Sequence, residues 1–226
     1  MDLIETLRST GAARAFSPDP IPDEVVTRIL DTARFAPSGG NRQGWHVVVL
    51  KDPDTRRALR DLYLPGWAQY LSMRAAGLVP WAPVTDDEAE REAIAQAEKA
   101  PPDPGPFAEH LDQVPVLLAL LADLQALAAV DRGFERYTMA GGASIYPFAW
   151  SILLAARAEG LGGVMTTIAI RKEAEVKDLL GAADHMVLAG VIALGRPVNQ
   201  PHRLTRRPVE EFATVDRFDG PSFDAD

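Results

Sequence analysis

The segment from about 140 to 159 has no polar face. Ile145, Phe148, Trp150, Ile152, Leu153 and Leu154 point in different directions around a single helix. A helix that is apolar nearly all round must be buried on all sides, in a core or between subunits. Gly160 ends it, because glycine takes the left-handed cap conformation without strain. Any fold open to this chain has to wrap around that helix.

The sheet that could do so is legible as apolar and β-branched runs. Trp45-His46-Val47-Val48-Val49-Leu50 reads as a strand, as do 115–120, 163–167 and 186–194. Helices are expected between them. Leu3, Ile4 and Leu7 repeat at helical spacing, and Val25, Val26, Ile29, Leu30 and Ala33 form one apolar face after Ile21-Pro22-Asp23-Glu24. A surface helix is expected over 53–62 and another helix over 172–180.

Residues 64–110 change character, with Trp67, Trp81, Pro80 and Pro83, then a charged helix opened by Thr85-x-x-Glu88. Pro101-Pro102-Asp103-Pro104-Gly105-Pro106 follows as a turn-rich linker. The stretch is an excursion from the core, either lid-like or a solvated helical decoration. The tail over 195–226 is polar and aperiodic, either disordered or laid across a partner.

With 226 residues, 47% hydrophobic and 24% charged, the chain has the size and composition of one α/β globular domain. A net charge of −9 argues against nucleic acid as the main partner, since a polyanion needs a positive field. The absence of cysteine excludes disulfides, thiolate nucleophiles and zinc–thiolate sites. The opening residues lack a basic stretch followed by an apolar run, and no apolar run could span a bilayer, so the cytoplasm is expected.

Most catalytic signatures fail. His46, His110, His185 and His202 show no metal-ligand spacing, and no G-x-S-x-G elbow exists. Gly160-x-Gly162-Gly163 comes before a strand, whereas a dinucleotide fingerprint follows one. His202-Arg203-Leu204-Thr205-Arg206-Arg207 is the one basic cluster: a solvated tail patch, or a pair of guanidinium forks for a phosphate monoester. Ala36-Pro37-Ser38-Gly39-Gly40-Asn41-Arg42-Gln43-Gly44-Trp45 joins helix to strand with small residues and amides. It suits a flat polar heterocycle, or else is only a tight turn.

Taken as a whole, the sequence resembles the nitroreductase family. The resemblance runs through Glu5-Thr6-Leu7-Arg8, Arg14-Ala15-Phe16, Ile29-Leu30-Asp31-Thr32-Ala33 and Pro37-Ser38-x-x-Asn41-x-Gln43-x-Trp45. It resumes at Leu153 through Gly162, then at Val176-Lys177-Asp178-Leu179-Leu180-Gly181, Ala193-Leu194-Gly195-Arg196-Pro197 and Arg206-Arg207-Pro208. It implies an α+β fold with a central, mostly antiparallel sheet surrounded by helices, in an intertwined homodimer with FMN at the subunit interface. Residues 1–226 would then be one such domain, with the excursion as a lid and the tail extended.

By matching position, the resemblance gives Arg14, Arg206 and Arg207 to the FMN phosphate and ribityl chain. Pro37, Ser38, Gly39 and Asn41 would reach the flavin from the other subunit, and Met165, Thr166 and Thr167 would run along the isoalloxazine near N5. The implied activity is ping-pong transfer of hydride from NAD(P)H through FMN to a nitroaromatic, quinone or enone. No side chain is required as a catalytic acid, base or nucleophile, and no metal is implied. The alternatives within this fold are a flavin- or deazaflavin-binding dimer without nitroreductase activity, or a flavin-cleaving or dehalogenating relative. The chain departs from the family pattern at Thr10-Gly11-Ala12-Ala13-Arg14, which keeps only the last arginine of the usual N-terminal motif. It also has Trp150-Ser151 for the commoner Gln-Asn, and Gly44 for the commoner proline before Trp45.

Overall fold

A computed structural model describes residues 2–135, 139–201 and 203–223. Four strands, β1 (Trp45–Leu50), β2 (Val116–Asp123), β3 (Gly162–Thr166) and β4 (Met186–Gly195), form one sheet in the order β1-β2-β4-β3. Every pairing is antiparallel, so the architecture is α+β. One row of paired residues crosses the whole sheet as Val48, Ala119, Val191 and Thr166.

Both faces of this sheet are covered. Leu118, Leu120, Ile192 and Leu194 pack with Val26, Ile29, Phe148 and Ile152, from α2 (Asp23–Ala33) and α6 (Tyr146–Ala158). Leu117, Ala119, Val191 and Ala193 pack with Leu59, Tyr63 and Val176, from α3 (Pro53–Ala75) and α7 (Glu173–Leu180). An antiparallel strand usually alternates because one face meets water. Here β2 and β4 lie inside two cores, so they read as unbroken apolar runs.

The 140–159 segment divides into a short 3-10 helix, Ala140–Ser144, followed by α6. Phe148, Ala149, Ile152, Ala155 and Ala156 face the core, whereas Trp150 remains 41% exposed. The short α1 (Leu3–Ser9) packs beside α6 and leaves Leu3 and Ile4 exposed. Gly160 does close α6, at φ 78°, with Leu161 N–H bonded back to the Ala156 carbonyl at 2.8 Å.

Helix α3 is longer than the sequence periodicity indicates, continuing past 62 to Ala75 through Pro65. Packing outweighs the lost backbone donor: Tyr63 and Met73 are fully buried. Gly66 lets the helix close on Ile168, whose Cγ2 lies 2.9 Å from where a Cβ would stand. The charged helix α4 (Asp87–Lys99) is capped by Asp86, not Thr85, through the backbone N–H groups of Glu88 and Ala89. The short α5 (Gly105–Glu109) leads back to the sheet.

The start of the tail lies along the chain's own N-terminal segment. Ser17 N–H bonds to the Arg196 carbonyl at 2.8 Å, Val198 N–H to the Ala15 carbonyl at 2.9 Å, and Gln200 Nε2 to the Ser9 carbonyl at 3.2 Å. Sequence periodicity carries no trace of this, because two anchors join backbone groups and the third is a single glutamine side chain. Among the described residues no helix is long and apolar enough to cross a membrane.

Candidate functional site

The edge strand β3 organises one half of the site. The N-terminal segment joins it through a parallel bridge, Ala12 to Gly163, with Ala13 N–H donating to the Gly163 carbonyl at 3.0 Å. Glycine at 162 permits this approach: a Cβ there would lie 2.6 Å from Gln200 Oε1 and 2.9 Å from Ala13 Cβ. Arg14 follows immediately and is exposed, with no ion pair among the described residues. Since Gly163 turns its carbonyl outward, the two-residue alternation turns the Met165 backbone N–H and C=O outward too, away from β4.

At the far end of β3, Thr166 Oγ1 donates to the Tyr63 hydroxyl at 3.4 Å and accepts from Ile168 N–H at 3.4 Å. Burial pushes the Tyr63 phenol up to about 12, with the Thr166 hydrogen bond and the Arg14 charge pulling the other way. Tyr63 is thus held as a neutral hydroxyl beside Thr166. Thr167 is exposed at the start of the following turn. Met165, Thr166 and Thr167 therefore line the far part of this edge, while Arg14 adjoins its start beside Gly163.

Sequence reasoning missed Tyr63. The helix was expected to end at 62, although Leu59 and Tyr63 stand at the i, i+4 spacing of a buried face. Arg14 also lines an open groove of about 310 Å³ with Phe16, Phe107, His110 and Gln113.

The second half is the loop before β1. Gly40, Asn41 and Gln43 have φ of 61°, 52° and 51°, a left-handed path that is uncommon outside glycine. The loop's own polar groups hold it. Ser38 Oγ accepts from Gln43 N–H at 3.0 Å, Asn41 N–H donates to the Ser38 carbonyl at 2.9 Å, and Gln43 Nε2 donates to Asn41 Oδ1 at 3.3 Å. Gly39 N–H is tied to Ser144 Oγ at 3.0 Å, before α6. Ser38 is half-buried, and the side of the loop formed by Pro37, Gly39 and Asn41 is largely open.

The structure does not bring the two halves together within one chain. The loop leads into β1 and the Arg14–Thr166 cluster sits on β3, at opposite edges of the sheet. Three interstrand spacings separate those strands, roughly 14 Å. Arg206 and Arg207 are exposed, beyond the point where Leu204 lies against Gly11. Arg206 donates only to the adjacent Thr205 carbonyl among the described residues, at 2.8 Å. His202, part of the same basic cluster, lies outside the described residues. Among the described residues, no group of His, Asp or Glu is placed to hold a metal ion.

This geometry can be compared with known proteins. The chain is 28% identical over 224 residues to an NADH dehydrogenase of Thermus thermophilus, covering 87% of each chain. Its fold superposes on a BluB-like flavoprotein from Clostridium difficile with a TM-score of 0.68 at 23% identity, covering 96% of this chain and all of that one. It also superposes on oxidised iodotyrosine deiodinase solved with FMN and 3-iodo-L-tyrosine, with a TM-score of 0.66 at 18% identity, covering 96% and 100%. At those identities the two structural likenesses speak for the fold alone. The family model matches from residue 7 to residue 196, and the chain belongs to the Nitroreductase family.

Proposed function

We propose that the protein is an FMN-dependent, NAD(P)H-using oxidoreductase that acts as a cytoplasmic homodimer on electron-poor acceptors. The observation that carries this reading is the edge of β3, where Met165 and the Tyr63–Thr166 hydroxyl pair stand and where Arg14 follows the Ala12–Gly163 bridge. A flavin ring needs hydrogen-bonding groups along one edge, and the outward backbone of Met165 with the Tyr63–Thr166 hydroxyl pair supplies them. Its phosphate needs cations free of carboxylates, and Arg14, Arg206 and Arg207 form no ion pair among the described residues. The residues present fit the group.

Bound FMN would supply hydride acceptance and donation; the chain supplies placement. Arg14, Arg206 and Arg207 would hold the phosphate and ribityl chain. The outward backbone of Met165, with Thr166 and Thr167 following it, would orient the reactive edge, and Pro37, Ser38, Gly39 and Asn41 of a second copy would close over it. Residues 64–110, forming the second half of α3, α4 and α5, would shape the acceptor side as a lid on a single domain. Among the described residues nothing covers Leu3 and Ile4 of α1 or Trp150 of α6, and a second copy is the natural cover.

The test is spectroscopic. Purified protein should show a flavin band that bleaches on anaerobic addition of NADH or NADPH and returns when a quinone or nitroaromatic is added. A flavin that stays oxidised would favour a binding dimer without this activity. A colourless protein that takes up no added FMN would remove the cofactor assignment.

A further inference from the structure

Among the described residues Arg171 is a cation with no acid of its own. It stands in the last turn of the 3-10 helix Ile168–Lys172, which follows Thr167 directly. Its neighbour Lys172 is held by Glu175, Nζ to Oε1 at 2.8 Å, and that pair does not include Arg171. The Arg171 guanidinium lies instead over the Trp81 ring, its central carbon 5.2 Å from the centroid, on an exposed side chain. A ring face restrains the guanidinium without taking its place beside a carboxylate, so the fork's N–H donors stay available to a planar anion. The seat itself is held against local preference. Trp81 has φ 50°, rare for a bulky residue, and its Nε1 is buried with no acceptor.

The position of this cation gives it a use. Tyr63, Gly66, Trp67 and Tyr70 stand at i, i+3, i+4 and i+7, on one face of α3. Tyr63 meets Thr166 on that face, and a Cβ at Gly66 would lie 3.4 Å from the Arg171 Cβ. Arg171 therefore arises one helical turn from the Tyr63–Thr166 pair. Thr167 and Arg171 are both exposed, and at ~2.0 Å of rise per residue they are about 8 Å apart along the 3-10 helix. That is the length of a para-substituted benzoate. The half-buried rings of Trp67, Tyr70 and Trp81 follow one another at centroid distances of 5.0 and 6.4 Å, an aromatic flank for such a molecule.

We propose that Arg171 is a specificity-determining residue that selects aromatic acceptors carrying a carboxylate. The carboxylate sits on the guanidinium and the reducible group turns toward the Thr166–Thr167 edge. The inference rests on the reading of that edge as a flavin site. A chain of net charge −9 repels anions at long range, so a cation free of carboxylates beside the site is what admits an anionic acceptor. Because the side chain is exposed, the preference is screened by salt.

The experiment uses the full chain loaded with FMN and compares 4-nitrobenzoate with 4-nitrobenzamide, which has the same shape and no charge. The ratio of kcat/KM for the acid to that for the amide should fall about five- to tenfold from wild type to Arg171→Gln at low salt, with the change in KM. Arg171→Lys, which keeps the charge and loses the fork, should lie between them, and added salt should lower the wild-type ratio. Calorimetric titration of the oxidised protein with 4-nitrobenzoate should show the same weakening in Arg171→Gln without turnover. A ratio unmoved by Arg171→Gln would overturn the selection and leave the flavin site standing. If neither compound is turned over, the titration decides, and equal affinity in wild type and Arg171→Gln would overturn it. A protein that takes up no FMN, read by absorbance beforehand, would remove both readings.

Discussion

Trp45 lies flat on Phe148, with centroids 4.5 Å apart and 6° between the ring planes. The contact clamps the first residue of β1 to α6, directly after the loop carrying Pro37, Ser38, Gly39 and Asn41. Phe148 is buried in the core, so Phe148→Ala should cost about 3–5 kcal/mol in denaturant unfolding. A double-mutant cycle with Trp45→Ala should return a coupling of ~0.5–1.5 kcal/mol, the range for a stacked pair beyond its area burial. Strict additivity would mean that each ring packs independently of the other.

Gly162 ties fold to site, because the approach of Ala13 sets where Arg14 begins. Gly162→Ala puts a methyl within 2.6 Å of Gln200 Oε1 and 2.9 Å of Ala13 Cβ. Overpacking of this kind costs about 1–3 kcal/mol. Thermal unfolding should report that loss, and FMN titration should show weaker binding as Arg14 is pushed off the β3 edge. Weaker stability with unchanged FMN affinity would separate Arg14 from the cofactor.

A pH dependence follows from Glu159, the residue that caps the C-terminus of α6. Arg28 forks onto it, Nε at 3.1 Å from Oε1 and Nη2 at 2.7 Å from Oε2, joining α2 to α6. The Arg28 hydrogen bond holds the Glu159 carboxyl below the usual glutamate range. A carboxyl depressed on folding contributes stability above its unfolded value, near pH ~4.3, and loses it as pH falls through the folded value. Arg28→Met should therefore be less stable than wild type at pH 7, with the difference closing in acid. Both groups are solvent-exposed, so added salt should also narrow the gap.

How much of this was legible in sequence depends on which residues carried the signal. The strand at 186–194 was plain because burial on both faces of β4 leaves an unbroken apolar run, and the edge strand at 45–50 was plain from its β-branched Val47-Val48-Val49. The end of α3 was not: Pro65 reads as a stop, and only the buried contacts of Tyr63 and Met73 carry the helix past it. Tyr63 was lost as a site residue for the same reason. The opening of the tail was equally silent, since its anchors to Ala15 and Ser17 use backbone groups that any sequence possesses and its anchor to Ser9 rests on the single side chain of Gln200. Arg14 and Thr166 were named through resemblance to a family. That both segments lie along β3 is a tertiary fact that no local pattern encodes.

The separation of the loop at Asn41 from the cluster at Arg14 gives the sharpest test of the shared site. Three strand spacings, roughly 14 Å, stand between β1 and β3 within one chain. If a second copy supplies the loop, each site needs Asn41 from one chain and Arg14, Arg206 and Arg207 from the other. Asn41→Trp should block its neighbour's site, while Arg206→Ala with Arg207→Ala should weaken the chain's own site. Each lost charge-assisted bond is worth ~1.5–3 kcal/mol, so the double variant should bind FMN at least about tenfold more weakly. All three side chains are exposed, so the fold should survive either change. In a mixed dimer of the two variants, one site carries both defects and the other carries neither. Subunit exchange should therefore restore FMN binding to half of the sites in mixed dimers, measured by flavin fluorescence after the exchange is proven by mass spectrometry. No recovery in proven mixed dimers would put Asn41 and the arginines in the same chain's site and end the two-subunit arrangement.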